Sequence, residues 1–363
     1  VIEEMNKSFE EHWGNPSSTH RQGQKSRAAI EKSRETIAKL LQVDAKEIIF
    51  TSGGAESNNL ILRGALKVNE SKGKHLITSK IEHSTVLKTC QALEKEGYEV
   101  TYIDVTERGV IDLEQLKNAI RNDTVAISVM YVNNETGVVQ PIDEIAKMIE
   151  GKGIVLHTDA IQGVGKEMIL PKKQGIHALS AAAHKFYGPK GTGFLYLDQN
   201  YMIEKEITGG SQERNRRSGT ENVHGIVGMA KALEIVYSDM EEEQAKEKEM
   251  QIYLEEALKE EICNIKINCG NSRRISSVVN ITLEDCNVQT LMVALDMEGI
   301  CVSGGSACMS GAMETSHVLK AMGASEEDLK SSIRVSIGRY NTKDEIDIFI
   351  QKLKEIVARE RAK

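Results

Sequence analysis

The chain has 363 residues, more than one hydrophobic core usually serves, so two domains are expected. A formal net charge of −8 argues against a general affinity for nucleic acid or anionic membrane, and 40% hydrophobic with 28% charged residues is the balance of a globular protein. No apolar run approaches the roughly 20 residues needed to cross a bilayer. Six cysteines without a Cys-x-x-Cys pair suit neither a metal site nor a disulfide framework, and fit a reducing, cytoplasmic compartment with most thiols buried.

In chain order, a breaker at Trp13–Ser18 precedes a helix predicted from about residue 19 to 41, with Ala29, Ile37, Leu40 and Leu41 on one stripe. A strand over 47–50, the turn Thr51-Ser52-Gly53-Gly54 and a helix over 55–68 follow. That order aims a helix N-terminus past the sheet edge, a place suited to a phosphate, although many α/β turns share it. Strands are then predicted over 75–79, 99–103, 125–130, 154–158, 178–182 and 194–197. Helices are predicted over 84–96, 113–121 and 142–150, with one long charged helix over 223–260. Alternation on this scale predicts an α/β fold: a mainly parallel sheet of about seven strands with helices on both faces. After it the texture changes to short strands over 266–268 and 277–282, a helix over 288–298 and a final helix over 343–358. The expected division is a large domain over 14–240 and a smaller α+β C-terminal domain over 241–363, together with 1–13.

Ligands of such sheets gather beyond the carboxyl ends of the strands, and His83, Asn134, Asp159 and Lys185 each follow a predicted strand end. Small residues at 180–183 deliver His184 and Lys185 into a turn that Gly188, Pro189, Gly191 and Gly193 bend. A lysine there can lie in a partly desolvated pocket with a nucleophilic amine, or be an ordinary solvated loop residue. A lysine for a covalent link and an aspartate for a pyridinium nitrogen are the groups that pyridoxal phosphate demands, and Asp159 supplies the second. Cys308 sits among Gly, Ser and Ala, which predicts a mobile loop open to thiol chemistry; Cys301, beside Ile300 and Val302, reads as structural. Taken singly, Asp159 could cap a helix, His83 be a loop histidine and Arg334 a surface ion-pair partner.

Taken together, the motifs Gly14-Asn15-Pro16-Ser17-Ser18, Thr51-Ser52-Gly53-Gly54-Ala55-Glu56-Ser57-Asn58-Asn59, Glu82-His83, Val132-Asn133-Asn134-Glu135-Thr136-Gly137 and His157-Thr158-Asp159-Ala160-Ile161-Gln162 resemble the cysteine desulfurases, the NifS/IscS-like branch of the class-V aminotransferases. So do His184-Lys185-Phe186-Tyr187-Gly188-Pro189-Lys190-Gly191, Arg217-Ser218-Gly219-Thr220-Glu221-Asn222, the stretch 303–310 and Ser332-Ile333-Arg334. The form of the cysteine stretch resembles the long-loop group of that family, which hands sulfur to partner proteins.

The resemblance implies a pyridoxal 5'-phosphate enzyme of the aspartate aminotransferase-like fold that converts L-cysteine to L-alanine. Lys185 would hold the cofactor covalently and shuttle protons, Asp159 would keep its ring nitrogen protonated, and Gln162 would bond its phenolic oxygen. His83 would stack on the ring and serve in acid–base steps. The backbone of Gly54 and Ala55, with His184, would hold the phosphate. Asn134, beside the cofactor, and Arg334 would grip the substrate carboxylate. Thr220 would reach the phosphate bound to the other subunit of a homodimer. Cys308 would take the sulfur as a persulfide and pass it to an iron–sulfur scaffold or a tRNA-thiolation protein. Two positions depart from the family's pattern: Ala55 and Ala182 stand where hydroxyl residues are common, which implies a weaker hold on the phosphate. Selenocysteine lyase, a transaminase on the same fold, and a degenerate dimeric platform for sulfur relay are the alternative readings.

Overall fold

The computed structural model describes residues 1–305 and 315–362, which group into two compact units. The larger unit comprises Val1–Ile103, Leu113–Tyr131 and Gln140–Met240. In chain order its elements are α1 (Ile2–Glu11), α2 (Arg21–Leu41), β1 (Ile48–Thr51), α3 (Gly54–Val68), β2 (His75–Ser79), α4 (Ser84–Lys95), β3 (Glu99–Ile103), α5 (Leu113–Ala119), β4 (Thr124–Ser128) and α6 (Ile142–Ile149). They continue through β5 (Val155–Asp159), β6 (Ala178–Ala182), β7 (Gly193–Leu197), the single turn α7 (Gln212–Asn215) and α8 (Val223–Ser238). The seven strands form one sheet in the order β1-β7-β6-β5-β4-β2-β3.

The pairs β2–β3, β2–β4, β4–β5 and β5–β6 are parallel, and β7 runs antiparallel to both its neighbours. Strands β2, β4, β5 and β6 are buried at every position, as a parallel sheet covered by helices requires. Leu60, Ile61, Leu66, Leu76, Val86, Leu93 and Val125 build one core on this sheet. The expected α/β fold with a mainly parallel seven-stranded sheet is what the chain adopts.

The smaller unit holds α9 (Met240–Glu261), β8 (Ile265–Asn268), β9 (Val278–Leu283), α10 (Val288–Met297), α11 (His317–Ala321), α12 (Glu326–Lys330), β10 (Ser332–Ser336) and α13 (Lys343–Arg361). Its antiparallel sheet has the order β10-β9-β8. Leu254, Leu258, Val279, Ile281, Leu291, Ile333 and Leu353 form its core. Among the described residues no helix is long and apolar enough to cross a membrane.

Three expectations need correction. Residues 1–13 lie in the larger unit, because Ser8 Oγ bonds His224 Nδ1 (3.0 Å) and Phe9 stacks on the His224 ring at 4.0 Å. The single helix over 223–260 is two helices, broken at Asp239 (φ −101°, ψ 3°), with apolar α8 ending one unit and charged α9 beginning the next. Residues 104–112 and 132–139 belong to the smaller unit, where Ile275 N donates to Gly137 O (2.9 Å) and Val139 N to Arg273 O (2.9 Å). The thiols also differ: Cys90 and Cys286 are buried, but Cys263 and Cys301 are exposed, so Cys301 is no core residue.

One buried ion pair fixes the segment after β7. Glu213, Arg214 and Asn215 all have left-handed φ (48°, 55° and 63°), a conformation that costs an ordinary residue about 1–2 kcal/mol each. Arg34 grips Glu213 through both nitrogens (Nη1–Oε2 2.6 Å, Nη2–Oε1 2.8 Å), and Phe50 N donates to Oε2 (2.9 Å). Arg34 Nη1 also donates to Ile48 O (2.8 Å), and the guanidinium lies 4.5 Å from the Phe50 ring centre. Glu213→Ala would leave the buried Arg34 charge with only the half-exposed Glu31 carboxylate (Nε–Oε1 3.2 Å). It should lower stability by about 3–5 kcal/mol, read as a lower urea midpoint; a change below about 1 kcal/mol contradicts this role.

Candidate functional site

In the larger unit the carboxyl ends of β2, β5 and β6 carry the titratable side chains. Asp159 is the last residue of β5 and is 4% exposed. Both of its oxygens accept hydrogen bonds: Oδ2 from Asn58 Nδ2 (2.8 Å) and Oδ1 from Ile161 N (3.1 Å). Burial pushes the carboxyl up. Against burial act the Asn58 amide, the electrostatic pull of His83, the Ile161 N–H and the Lys185 ammonium. Asp159 therefore brings His83 and Lys185 into one electrostatic neighbourhood. His83 caps α4 by accepting from Thr85 N (3.2 Å) through Nδ1, and Thr85 Oγ1 lies 2.8 Å from the same nitrogen.

Lys185 closes the one-turn 3-10 helix Ala183–Lys185 directly after β6. The single chain leaves it exposed, because that turn carries it beyond the last buried residue of the strand. His184 is exposed too; partial burial, then Lys185 and Lys190, hold its ring below the ordinary range. Gln162 is half-buried, three residues beyond Asp159 in the turn that follows β5.

The N-terminus of α3 is built for close approach. Gly53 has φ +150°, which side-chain-bearing residues rarely adopt, and a Cβ on Gly54 would lie 2.0 Å from Ile161 Cδ1. No side chain caps the helix. The N–H groups of Gly54, Ala55 and Glu56 precede the first internal bond, Ser57 N to Gly53 O (3.1 Å), so among the described residues they are free to meet an anion. Ala55 is exposed there and Ala182 is buried at the end of β6. Burial alone would raise the Glu56 carboxyl, but the Arg217 fork (2.7 and 3.2 Å) and the Ser52 N–H (2.8 Å) hold it below the ordinary range. That pair ties the segment bearing exposed Thr220 to the same helix end.

In the smaller unit Arg334 Nη1 donates to Asn134 O (2.9 Å). Among the described residues Arg334 Nε is buried without a partner; burial pulls the guanidinium down while the Glu135 carboxylate opposes it. The backbone of Arg334 also pairs with Ser303 in both directions (3.1 and 2.6 Å). Glu135 is buried and accepts a short hydrogen bond from Ser316 Oγ. Cys308 lies outside the described residues.

The aminotransferase class-V family matches residues 1–349. The chain belongs to it. Within that family it is a cysteine desulfurase homologue: it is 43% identical to the cysteine desulfurase IscS of Dictyoglomus turgidum over 361 residues, covering 99% of this chain and 92% of the relative. Among solved structures, a NifS-like protein superposes with a TM-score of 0.93 at 36% identity, over 98% of this chain and 95% of that one. SspA, solved in complex with cysteine, gives 0.82 at 36% identity, over 94% and 95%.

Sequence reasoning on this desulfurase homologue missed Asn58 and Thr85, which link Asp159 to His83. Asn58 stands inside a quoted motif, but nothing in its spacing tells which side chain it faces. Glu82 was also missed as a titrating group. It is fully buried beyond β2, accepts from Ser79 Oγ (2.5 Å) and Met130 N (2.9 Å) through Oε1, and burial, helped by Asp159, raises its carboxyl to about 8. A carboxyl raised in the folded state stabilises below its unfolded value, near 4.5, and that contribution is lost as pH climbs toward 8. The wild-type urea midpoint should therefore fall more steeply between pH 5 and 8 than that of Glu82→Gln; parallel profiles contradict the assignment.

Proposed function

We propose that the protein takes sulfur from L-cysteine with pyridoxal phosphate as cofactor, leaving L-alanine and a persulfide on Cys308. The observation that carries this reading is the buried Asp159 carboxylate, with a donor on each oxygen and Lys185 and His83 in its electrostatic reach. Such a group suits a protonated pyridine nitrogen, which would supply the positive charge that burial otherwise denies it. The uncapped start of α3 suits a phosphate, so the donor set of the larger unit fits the cofactor.

When bound, the cofactor supplies an electron sink for the bonds at the substrate Cα. Lys185 Nζ would hold it covalently and would then move the Cα proton. His83 would take part in proton transfer, Gln162 would bond the phenolic oxygen, and Gly54, Ala55 and His184 would hold the phosphate. Arg334 takes the substrate carboxylate through the edge that Asn134 O leaves open, with Asn134 beside it. The Cys308 thiolate attacks the substrate sulfur: an S–S bond forms, the Cβ–S bond breaks, and a proton replaces sulfur on Cβ. L-cysteine and one thiol thus give alanine and one persulfide, with no outside oxidant or reductant.

The reading extends to a homodimer in which Thr220 serves the phosphate of the partner subunit, and to a cytoplasmic protein that passes sulfur to an iron–sulfur scaffold or a tRNA-thiolation carrier. Incubation with L-cysteine and a reductant, assayed for alanine and sulfide, tests the core of it. Cys308→Ala should lower both products by at least about a hundredfold. Unchanged alanine formation in that variant would contradict the role of Cys308, and a 2-oxo acid that keeps its sulfur, in place of alanine, would point to a transaminase instead.

A further inference from the structure

We propose that Asn58 and Thr85 are positioning residues that decide which nitrogen of His83 carries its proton. The inference rests on the reading of His83 as an acid–base group and adds what orients that ring. Asn58 is fully buried, and its amide nitrogen donates twice: to Asp159 Oδ2 at 2.8 Å and to Thr85 Oγ1 at 2.9 Å. A primary amide has two such hydrogens, so both are used. Turning the amide over would set its oxygen against the Asp159 carboxylate, two acceptors with no hydrogen between them. The carboxylate therefore dictates the direction of the chain of bonds.

Thr85 Oγ1 is the acceptor toward Asn58, which leaves its own hydrogen for His83 Nδ1, 2.8 Å away. The backbone N–H of Thr85 points to the same nitrogen at 3.2 Å. Nδ1 thus faces two donors, and the neutral ring must accept there and carry its hydrogen on Nε2. A hydrogen on Nδ1 would instead oppose the Thr85 N–H and displace the hydroxyl hydrogen from its place in the chain. Three hydrogen bonds transmit the charge of Asp159 to the tautomer of His83. The consequence for chemistry is that Nε2, not Nδ1, holds the proton available for exchange, while Nδ1 is occupied in closing the start of α4.

The test is nitrogen NMR of the cofactor-loaded protein carrying histidine labelled at both ring nitrogens, with the His83 signals assigned by their loss in His83→Gln. The expected wild-type pattern is a pyridine-like Nδ1 and a pyrrole-like Nε2. Thr85→Ala should mix the two tautomers and Thr85→Ser should restore the pattern. In Thr85→Ala, kcat for L-cysteine should fall about three- to tenfold, the worth of one hydrogen bond, with KM within about twofold. A pyrrole-like Nδ1 in the wild type, or a Thr85→Ala spectrum that keeps the wild-type pattern, overturns the proposal. The underlying reading fails separately: His83→Gln turning over cysteine at the wild-type rate would remove His83 from the acid–base steps whatever its tautomer.

Discussion

A carboxylate buried at the end of a central strand is costly unless its surroundings answer its charge, and the arrangement around Asp159 follows from that constraint. Asn58 and Ile161 N–H satisfy its oxygens, and His83 and Lys185 supply the opposing electrostatic pull. Each comes from a different element: Asn58 from α3, His83 from the start of α4, Lys185 from the turn after β6. The parallel sheet is what brings these elements to one edge, since parallel strands send their carboxyl ends to the same side. Fold and candidate chemistry are thus two consequences of one strand order.

Ion pairs serve a different purpose in the same unit. Arg34–Glu213 holds three left-handed residues in place, and Glu56–Arg217 then ties the following residues to the start of α3. The second pair occupies Glu56, an acidic side chain in the first turn of α3, and answers its charge with the Arg217 guanidinium. In the smaller unit Arg334 makes the opposite use of burial. Its guanidinium spends one nitrogen on Asn134 O, and among the described residues its buried Nε has no partner, which costs stability rather than adding to it.

Much of this was legible in the residues. Strands β2, β3 and β6 have the predicted bounds: β6 is a run of small and apolar residues closed by the turn at His184 and Lys185, and β2 and β3 are short β-branched and apolar stretches bounded by polar or turn-forming residues. Asp159 and Lys185 stood out because their types at strand ends match a known chemistry. Other features were not legible for physical reasons. The break at Asp239 carries no Gly or Pro, so a charged helix reads straight through it. The reversal of β7 leaves no mark on a strand buried on both faces. Residues 1–13 follow the larger unit by packing α1 on α8, through buried Ser8, the Phe9 ring and Met5 against Gly228, which no periodicity announces. The exposure of Lys185 and the Asn58–Thr85 link depend on where side chains point, which spacing along the chain does not encode.

The central claim is that the Asp159 neighbourhood makes Lys185 the lysine that binds pyridoxal phosphate. The most direct measurement is borohydride reduction of the cofactor-loaded protein followed by peptide mass spectrometry. The account predicts one phosphopyridoxyl group, on Lys185. An adduct on another lysine, or none at saturating cofactor, would contradict it.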